Sequence, residues 1–367
     1  MNLKWSLYLG KISGIKLYIH WTFWILVIWI FFMHYNAGHG FNEAAIGVLF
    51  IFTLFACVVL HELGHALTAQ RFHIQTKNIT LLPIGGMASM EKMPEKPGQE
   101  LLVAIAGPLV NVVIAIGLFF YLKSTGGMLS IEEFTQTEEG RHMMIGDNFM
   151  FNLFAVNIVL VLFNLIPAFP MDGGRMLRAL LAYRLDRAKA TAIAARIGQL
   201  LAIGLVFFGF FYNFWLVFIG LFIFLGAGGE AAYEATRSVL SGFKVKDVLM
   251  TKFTWLSPND TLAKAVQLLL AGQEQEFLVG DGSTVSGILT RKDIIKGLTE
   301  FGKEAPVSNA MQKNFMTLQP EMELQEVYHK MMSNGSTFSP VYEGKILAGV
   351  LDRENISELL MIKSAIK

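Results

Sequence analysis

Residues Ala44-Ala45-Ile46-Gly47-Val48-Leu49-Phe50-Ile51-Phe52-Thr53-Leu54-Phe55-Ala56-Cys57-Val58-Val59-Leu60 carry no charge and run straight into His61-Glu62-Leu63-Gly64-His65. An uncharged run of 17 residues reads as a membrane helix. If the helix continues, His61 and His65 sit four residues apart and share one face. Two imidazoles on one face can grip a single zinc ion, with the intervening Glu62 beside it. Ionisable side chains inside a span are costly and mark function. Cys57, one turn before His61, reads as packing.

The composition supports a membrane reading. Of 367 residues, 53% are hydrophobic and 16% charged, with a mean hydropathy of +0.48. An ordinary soluble domain carries about 25% charged residues. The deficit is local: residues 1–235 hold 15 Lys/Arg and 14 Asp/Glu, about 12%, and residues 236–367 hold 15 and 15, about 23%. We therefore expect a membrane domain over 1–235, a linker over 236–245 and a soluble region over 246–367. The net charge of +1 gives no field that would attract nucleic acid. The single cysteine excludes a disulfide framework and a cysteine-based zinc cluster.

Further uncharged stretches at Leu17–Met33, Leu101–Leu122 and Asn148–Met171, with two more across Ile197–Gly229 split near Tyr212-Asn213, bring the expected number of spans to about six. Lys4, Lys11 and Lys16 precede the first span, and Arg175, Arg178, Arg184, Arg187, Lys189 and Arg196 follow the fourth. The loop with Glu132, Glu133, Glu138 and Glu139 falls on the opposite face. The positive-inside rule then makes both termini cytoplasmic in a multi-pass cell (inner) membrane protein.

A catalytic zinc site takes three protein ligands and leaves a fourth position open. The third candidate is Asp172, which closes the fourth span in Asn164-Leu165-Ile166-Pro167-Ala168-Phe169-Pro170-Met171-Asp172-Gly173-Gly174 and is the only acid between Asp147 and Asp186. Pro167 and Pro170 break the helix there. Broken backbone at membrane depth is tolerated only inside protein or beside a wet cavity. The other reading of Asp172 is an N-cap for the next helix.

The two segments together resemble the paired signatures of the site-2 protease family of intramembrane zinc metalloproteases. Asn164–Gly174 matches that family's N-x-x-P-x-x-P-x-D-G-G pattern at every fixed position. The resemblance covers roughly residues 1–235. It implies a polytopic α-helical membrane protein with His61, His65 and Asp172 as ligands of one catalytic Zn2+, Glu62 as general base and Asn164 near the substrate. It also implies that Leu81–Met90, with Gly85 and Gly86, is a re-entrant hairpin that pairs with extended substrate. Gly107-Pro108-Leu109-Val110-Asn111, at the opening of the third span, is similar to a segment of the same family and reads here as helix packing. Asn152 and Asn157 read as interhelical hydrogen-bonding groups. The implied substrate is a transmembrane protein in the lipid bilayer, cut in or near its helix in regulated intramembrane proteolysis. The rival readings are a transporter with the motifs as an ion site and an inactive membrane scaffold.

The soluble region contains a repeat. Gly287-Ile288-Leu289-Thr290-Arg291-Lys292-Asp293-Ile294 recurs 62 residues later as Gly349-Val350-Leu351-Asp352-Arg353-Glu354-Asn355-Ile356, and Pro258 and Pro320 share that offset. Two copies of a long period indicate a paired module. The pair, over 246–302 and 307–367, resembles tandem CBS (cystathionine-β-synthase) domains, an α/β module that dimerises and often binds adenine nucleotides. The first repeat keeps the family's Thr and Asp as Thr290 and Asp293. The second carries Asp352 and Asn355 instead, and a carboxylate there repels phosphate. The resemblance therefore implies at most one good nucleotide site, a possible homodimer, and activity tuned by the pair through a helical segment carrying Glu230, Glu234 and Arg237.

Overall fold

The computed structural model describes residues 5–36, 40–83, 85–90, 94–128, 148–272, 274–282 and 284–366. The chain divides into two compact units, Met1–Glu234 and Ala235–Lys367. The acidic loop with Glu132, Glu133, Glu138 and Glu139, and Ile84 of the hairpin, lie outside the described residues.

The first unit opens with strands β1 (Ser6–Ile12) and β2 (Ile15–His20), paired antiparallel. The turn between them uses Ser13 and Gly14, both at positive φ. The first expected span therefore begins as a strand: Leu17–His20 belongs to β2, and helix α1 covers only Thr22–His34. The reason is pairing. β2 lies parallel to β3 (Thr76–Leu82), which pairs antiparallel with β4 (Gly85–Met90), giving the order β1-β2-β3-β4 with β4 at an edge. The sheet buries Ile15 and Ile79 against Leu63 and Ala66, and Ile19 and Leu81 against Phe23 and Phe55.

Among the described residues, four helices are long and apolar enough to cross a membrane: α2 (Gly40–Gln70), α3 (Pro97–Thr125), α6 (Arg187–Phe211) and α7 (Trp215–Leu240). Helix α4 (Phe149–Leu165) and α1 are shorter apolar helices of 17 and 13 residues. Helix α2 does not stop at Leu60. Its 31 residues run about 46 Å at 1.5 Å per residue, so the histidines lie in its interior. Helix α3 starts on Pro97 and ends at Gly126, whose φ of 72° is the left-handed conformation glycine adopts freely. Gly107–Asn111 thus lies well inside α3 rather than at its opening. A short helix α5 (Asp172–Leu181) follows the proline turn. The expected break at Tyr212-Asn213 separates α6 from α7, and the Asn213 side chain accepts a hydrogen bond from the Trp215 amide. The boundary between the units falls inside α7.

In the second unit the order is β5 (Trp255–Leu256), α8 (Leu262–Ala271), β6 (Glu276–Gly280), β7 (Val285–Thr290), α9 (Arg291–Phe301), then α10 (Leu324–Asn334), β8 (Phe338–Glu343), β9 (Ile346–Asp352) and α11 (Arg353–Ile366). The first strand of the second repeat shrinks to one bridge, Leu318 to Val341. Leu256, Leu262, Ala265, Val279, Leu289 and Ile294 fill one core, and their images Leu318, Leu324, Val327, Val341, Leu351 and Ile356 fill the other. Each repeat lends a segment to its neighbour: Met250 bridges Val350, and Gln312 bridges Ile288. These bridges are images under the same offset. Gly287 and Gly349 permit them, since a Cβ would strike Met311 Sδ at 2.7 Å or Met250 O at 2.5 Å.

Candidate metal centre

Continuation of α2 places His61 and His65 on one face. The turn Ile166–Met171 then delivers Asp172 to the same point. His61 Nε2, His65 Nε2 and Asp172 Oδ2 lie 3.1–3.2 Å from one another, and all three residues are buried. Helix α5 has Met171 as its N-cap with no side-chain cap bond, so Asp172 does not serve as the cap. Its Oδ2 faces the histidines, and its Oδ1 lies 3.6 Å from Arg175 Nη1.

The outer nitrogens of both imidazoles are committed. His65 Nδ1 donates to the Val103 carbonyl at 2.7 Å, and His61 Nδ1 to Asn111 Oδ1 at 2.5 Å. Both acceptors are oxygens, so each Nδ1 holds the proton and each Nε2 turns its lone pair into the site. Asn111 is itself fixed: its amide donates to Asn157 Oδ1 at 2.9 Å, and Asn157 donates to the Leu153 carbonyl. The expected interhelical role of Asn157 is thus met by this bond from α3 to α4, whereas Asn152 is buried and makes no cross-helix bond among the described residues.

Gly107 supplies the room. A Cβ there would sit 2.1 Å from His65 Nε2 and 2.7 Å from His61 Nε2. Gly107 and Asn111 repeat the i, i+4 spacing of the histidines they face, so this segment shapes the centre and does more than pack helices. Gly64 lets α2 and α3 approach, because its Cβ would meet Ala106 O at 2.7 Å. The glycines after Asp172 serve the turn: a Cβ on Gly173 would lie 2.2 Å from Ile166 O, and one on Gly174 2.6 Å from the Ala168 carbonyl carbon.

These residues fit a zinc ion. Ligands at about 2.0–2.1 Å from a tetrahedral zinc lie about 3.3 Å apart, close to the spacings found. Among the described residues, His61, His65 and Asp172 are the one cluster of metal-ligating side chains.

Glu62 is half-buried beside β4, where a Cβ on Gly86 would touch Glu62 Cγ at 2.8 Å. Gly85, with a φ of 133°, starts that strand. Asn164 is half-buried in the last turn of α4. In the second unit, Thr290 and Asp293 form a capping box at the start of α9: Asp293 Oδ2 accepts from the Thr290 amide and hydroxyl and from Gln312. Asp352 repeats half of this by accepting from the Asn355 amide.

Residues 49–207 match the model of peptidase family M50, and residues 245–300 and 307–362 each match that of the CBS domain. A zinc metalloprotease of Methanocaldococcus jannaschii is 32% identical over 361 residues, covering 98% of this chain and 97% of that protein. A putative zinc metalloprotease of Synechocystis is 29% identical over 373 residues, covering 96% and 89%. The solved site-2 protease of M. jannaschii is 37% identical, covers 62% of this chain and 95% of its own, and superposes with a TM-score of 0.42. The chain belongs to peptidase family M50, the site-2 protease family of zinc metalloproteases, and carries tandem CBS domains after its membrane region.

Proposed function

We propose that His61, His65 and Asp172 hold one zinc ion and that Glu62 is the general base of an intramembrane endopeptidase. The carrying observation is the convergence of three buried ligand atoms at 3.1–3.2 Å, with both Nδ1 protons already committed. Zinc in such a site polarises a carbonyl and lowers the pKa of water towards 7. Glu62 takes the proton of the attacking water and delivers it to the leaving amine nitrogen, which balances the hydrolysis. Asn111 and the Val103 carbonyl keep the imidazoles oriented throughout. A helical substrate must unwind before its carbonyl is free, because helical carbonyls are already hydrogen-bonded. The unwound segment adds to the open edge of β4, with Gly85 and Gly86 passing beside Glu62 and Asn164 contacting the substrate.

In the same reading, α1, α2, α3, α4, α6 and α7 are six spans of a cell inner-membrane protein with both termini cytoplasmic. Residues 1–235 are the protease domain, 236–245 the linker and 246–367 the CBS pair. The pair forms a homodimer contact and tunes activity by binding an adenine nucleotide at Thr290 and Asp293. A single site is favoured because the cavity beside the second motif, about 1000 Å³, is lined by Glu274, Glu276, Asp352, Glu354 and Glu358 against Arg291 alone. Carboxylates so placed repel phosphate.

The test uses purified chain in lipid vesicles with a single-span membrane protein as substrate. Wild type yields products whose new termini map in or near the span. Glu62→Gln keeps its zinc and cuts at least about 100-fold more slowly. Cutting by Glu62→Gln at the wild-type rate rejects the proposal.

A further inference from the structure

Behind the metal centre lies a second set of charges, none of which touches a candidate ligand. Arg178, on α5, is fully buried. Its Nε donates to Glu100 Oε1 at 2.8 Å, and its Nη1 donates to Glu230 at 2.5 Å. The guanidinium also lies over the ring of Phe169, 5.0 Å from its centroid. Arg187 on α6 shares Glu100 through a 2.7 Å bond and reaches Glu234 at 3.2 Å. Glu100 and Glu234 are themselves buried. Two arginines and three glutamates therefore join α3, α5, α6 and α7.

What each element carries gives the network its meaning. Asp172 is the first residue of α5. A ten-residue helix is too short to hold its own position by propensity, so packing fixes it. Glu100 lies on α3 one turn before Val103, which orients His65, and two turns before Gly107, which makes room for both imidazoles. Phe169 belongs to the turn that delivers Asp172, and it is also buried. One guanidinium thus grips the helix bearing the carboxylate ligand, the helix that orients the histidines, and the turn between α4 and α5. A stability role alone would be met more cheaply by apolar side chains of similar volume, since buried ion pairs recover little of their desolvation cost.

We propose that Arg178 is a positioning residue for the metal centre: its fork, held by Glu100 on α3 and Glu230 on α7, sets the distance of Asp172 from His61 and His65. This rests on the assignment of those three residues as the zinc ligands. Lysine would keep the charge and lose the fork, because an ammonium is a point donor.

The test measures zinc affinity of the purified full-length chain by competition with a chelating indicator, together with kcat and KM on a membrane substrate. The variants are Arg178→Lys, Glu230→Gln and, as the reference for ligand loss, Asp172→Ala. Arg178→Lys is expected to weaken zinc binding about 10–100-fold and lower kcat with KM little changed, as loss of a supporting group around a metal does. Glu230→Gln, which leaves the Glu100 bond in place, is expected to weaken zinc binding by a smaller factor. A folded Arg178→Lys with wild-type zinc affinity and kcat overturns the proposal. Where Arg178→Lys does not fold, Glu230→Gln decides, and wild-type zinc affinity in that variant overturns it. Retention of wild-type zinc affinity by Asp172→Ala would instead reject the ligand assignment itself, so the two failures are distinguishable.

Discussion

At the residue scale, each candidate ligand is held from behind. Asn111→Leu removes the acceptor of the His61 proton and frees the ring to turn or change tautomer. Zinc affinity should fall about 10–100-fold, measured by chelator competition. Gly107→Ala should be more severe: its Cβ would occupy space 2.1 Å from His65 Nε2, and metal analysis should find little zinc bound. The three side chains that converge were legible in the sequence as candidate ligands, because the i, i+4 spacing and the acid after two prolines are local signals. Their support was not. Asn111 bonds a residue 50 positions away, and Val103 contributes only a backbone carbonyl, which no side-chain pattern reports.

At the element scale, α2 and α3 approach through glycine, and the two glycines of contrasting surroundings make a test. Gly64→Ala puts a methyl 2.7 Å from a backbone carbonyl of α3, and overpacking of this kind costs about 1–3 kcal/mol. Gly117 on α3 has nothing within 4 Å of its added Cβ. Gly117→Ala should be neutral or stabilising by about 0.4–1 kcal/mol. Thermal unfolding of the two variants in the same detergent checks the difference, and equal shifts would contradict the packing account. The long helices were legible from uncharged length, and the α6–α7 break from Tyr212-Asn213. The strand at Ile15–His20 was not, because its residues merge with the apolar run that follows, and its parallel partner β3 lies 62 residues on. Strand pairing over such a distance leaves no periodic mark.

At the scale of the whole molecule, the 62-residue repeat was legible because Gly287–Ile294 recurs as Gly349–Ile356 and Pro258 as Pro320, and core positions and crossing segments follow the same offset in the fold. The capping role of Thr290 and Asp293 was not, since the same residue types suit a ligand or a helix start. Titration of the 235–367 fragment with ATP, ADP and AMP should give binding with at most one site, abolished by Asp293→Ala; no heat with any of them removes the nucleotide proposal. In that unit, burial pushes the Glu276 carboxyl up, with the Thr337 hydroxyl opposing. A carboxyl raised in the folded state loses stability as pH rises through the unfolded value and on to the folded one. Glu276→Gln removes that loss. It should raise Tm at pH 7, and the gain should vanish below about pH 4. In the proposed function, two imidazoles and a carboxylate of this membrane chain close on one zinc ion. Zinc-edge X-ray absorption on the purified full-length protein tests it most directly. One zinc per chain with a shell of nitrogen and oxygen at about 2.0–2.1 Å is expected, with loss of that shell in His65→Ala. A sulfur shell at about 2.3 Å, or an unchanged spectrum in His65→Ala, would contradict it.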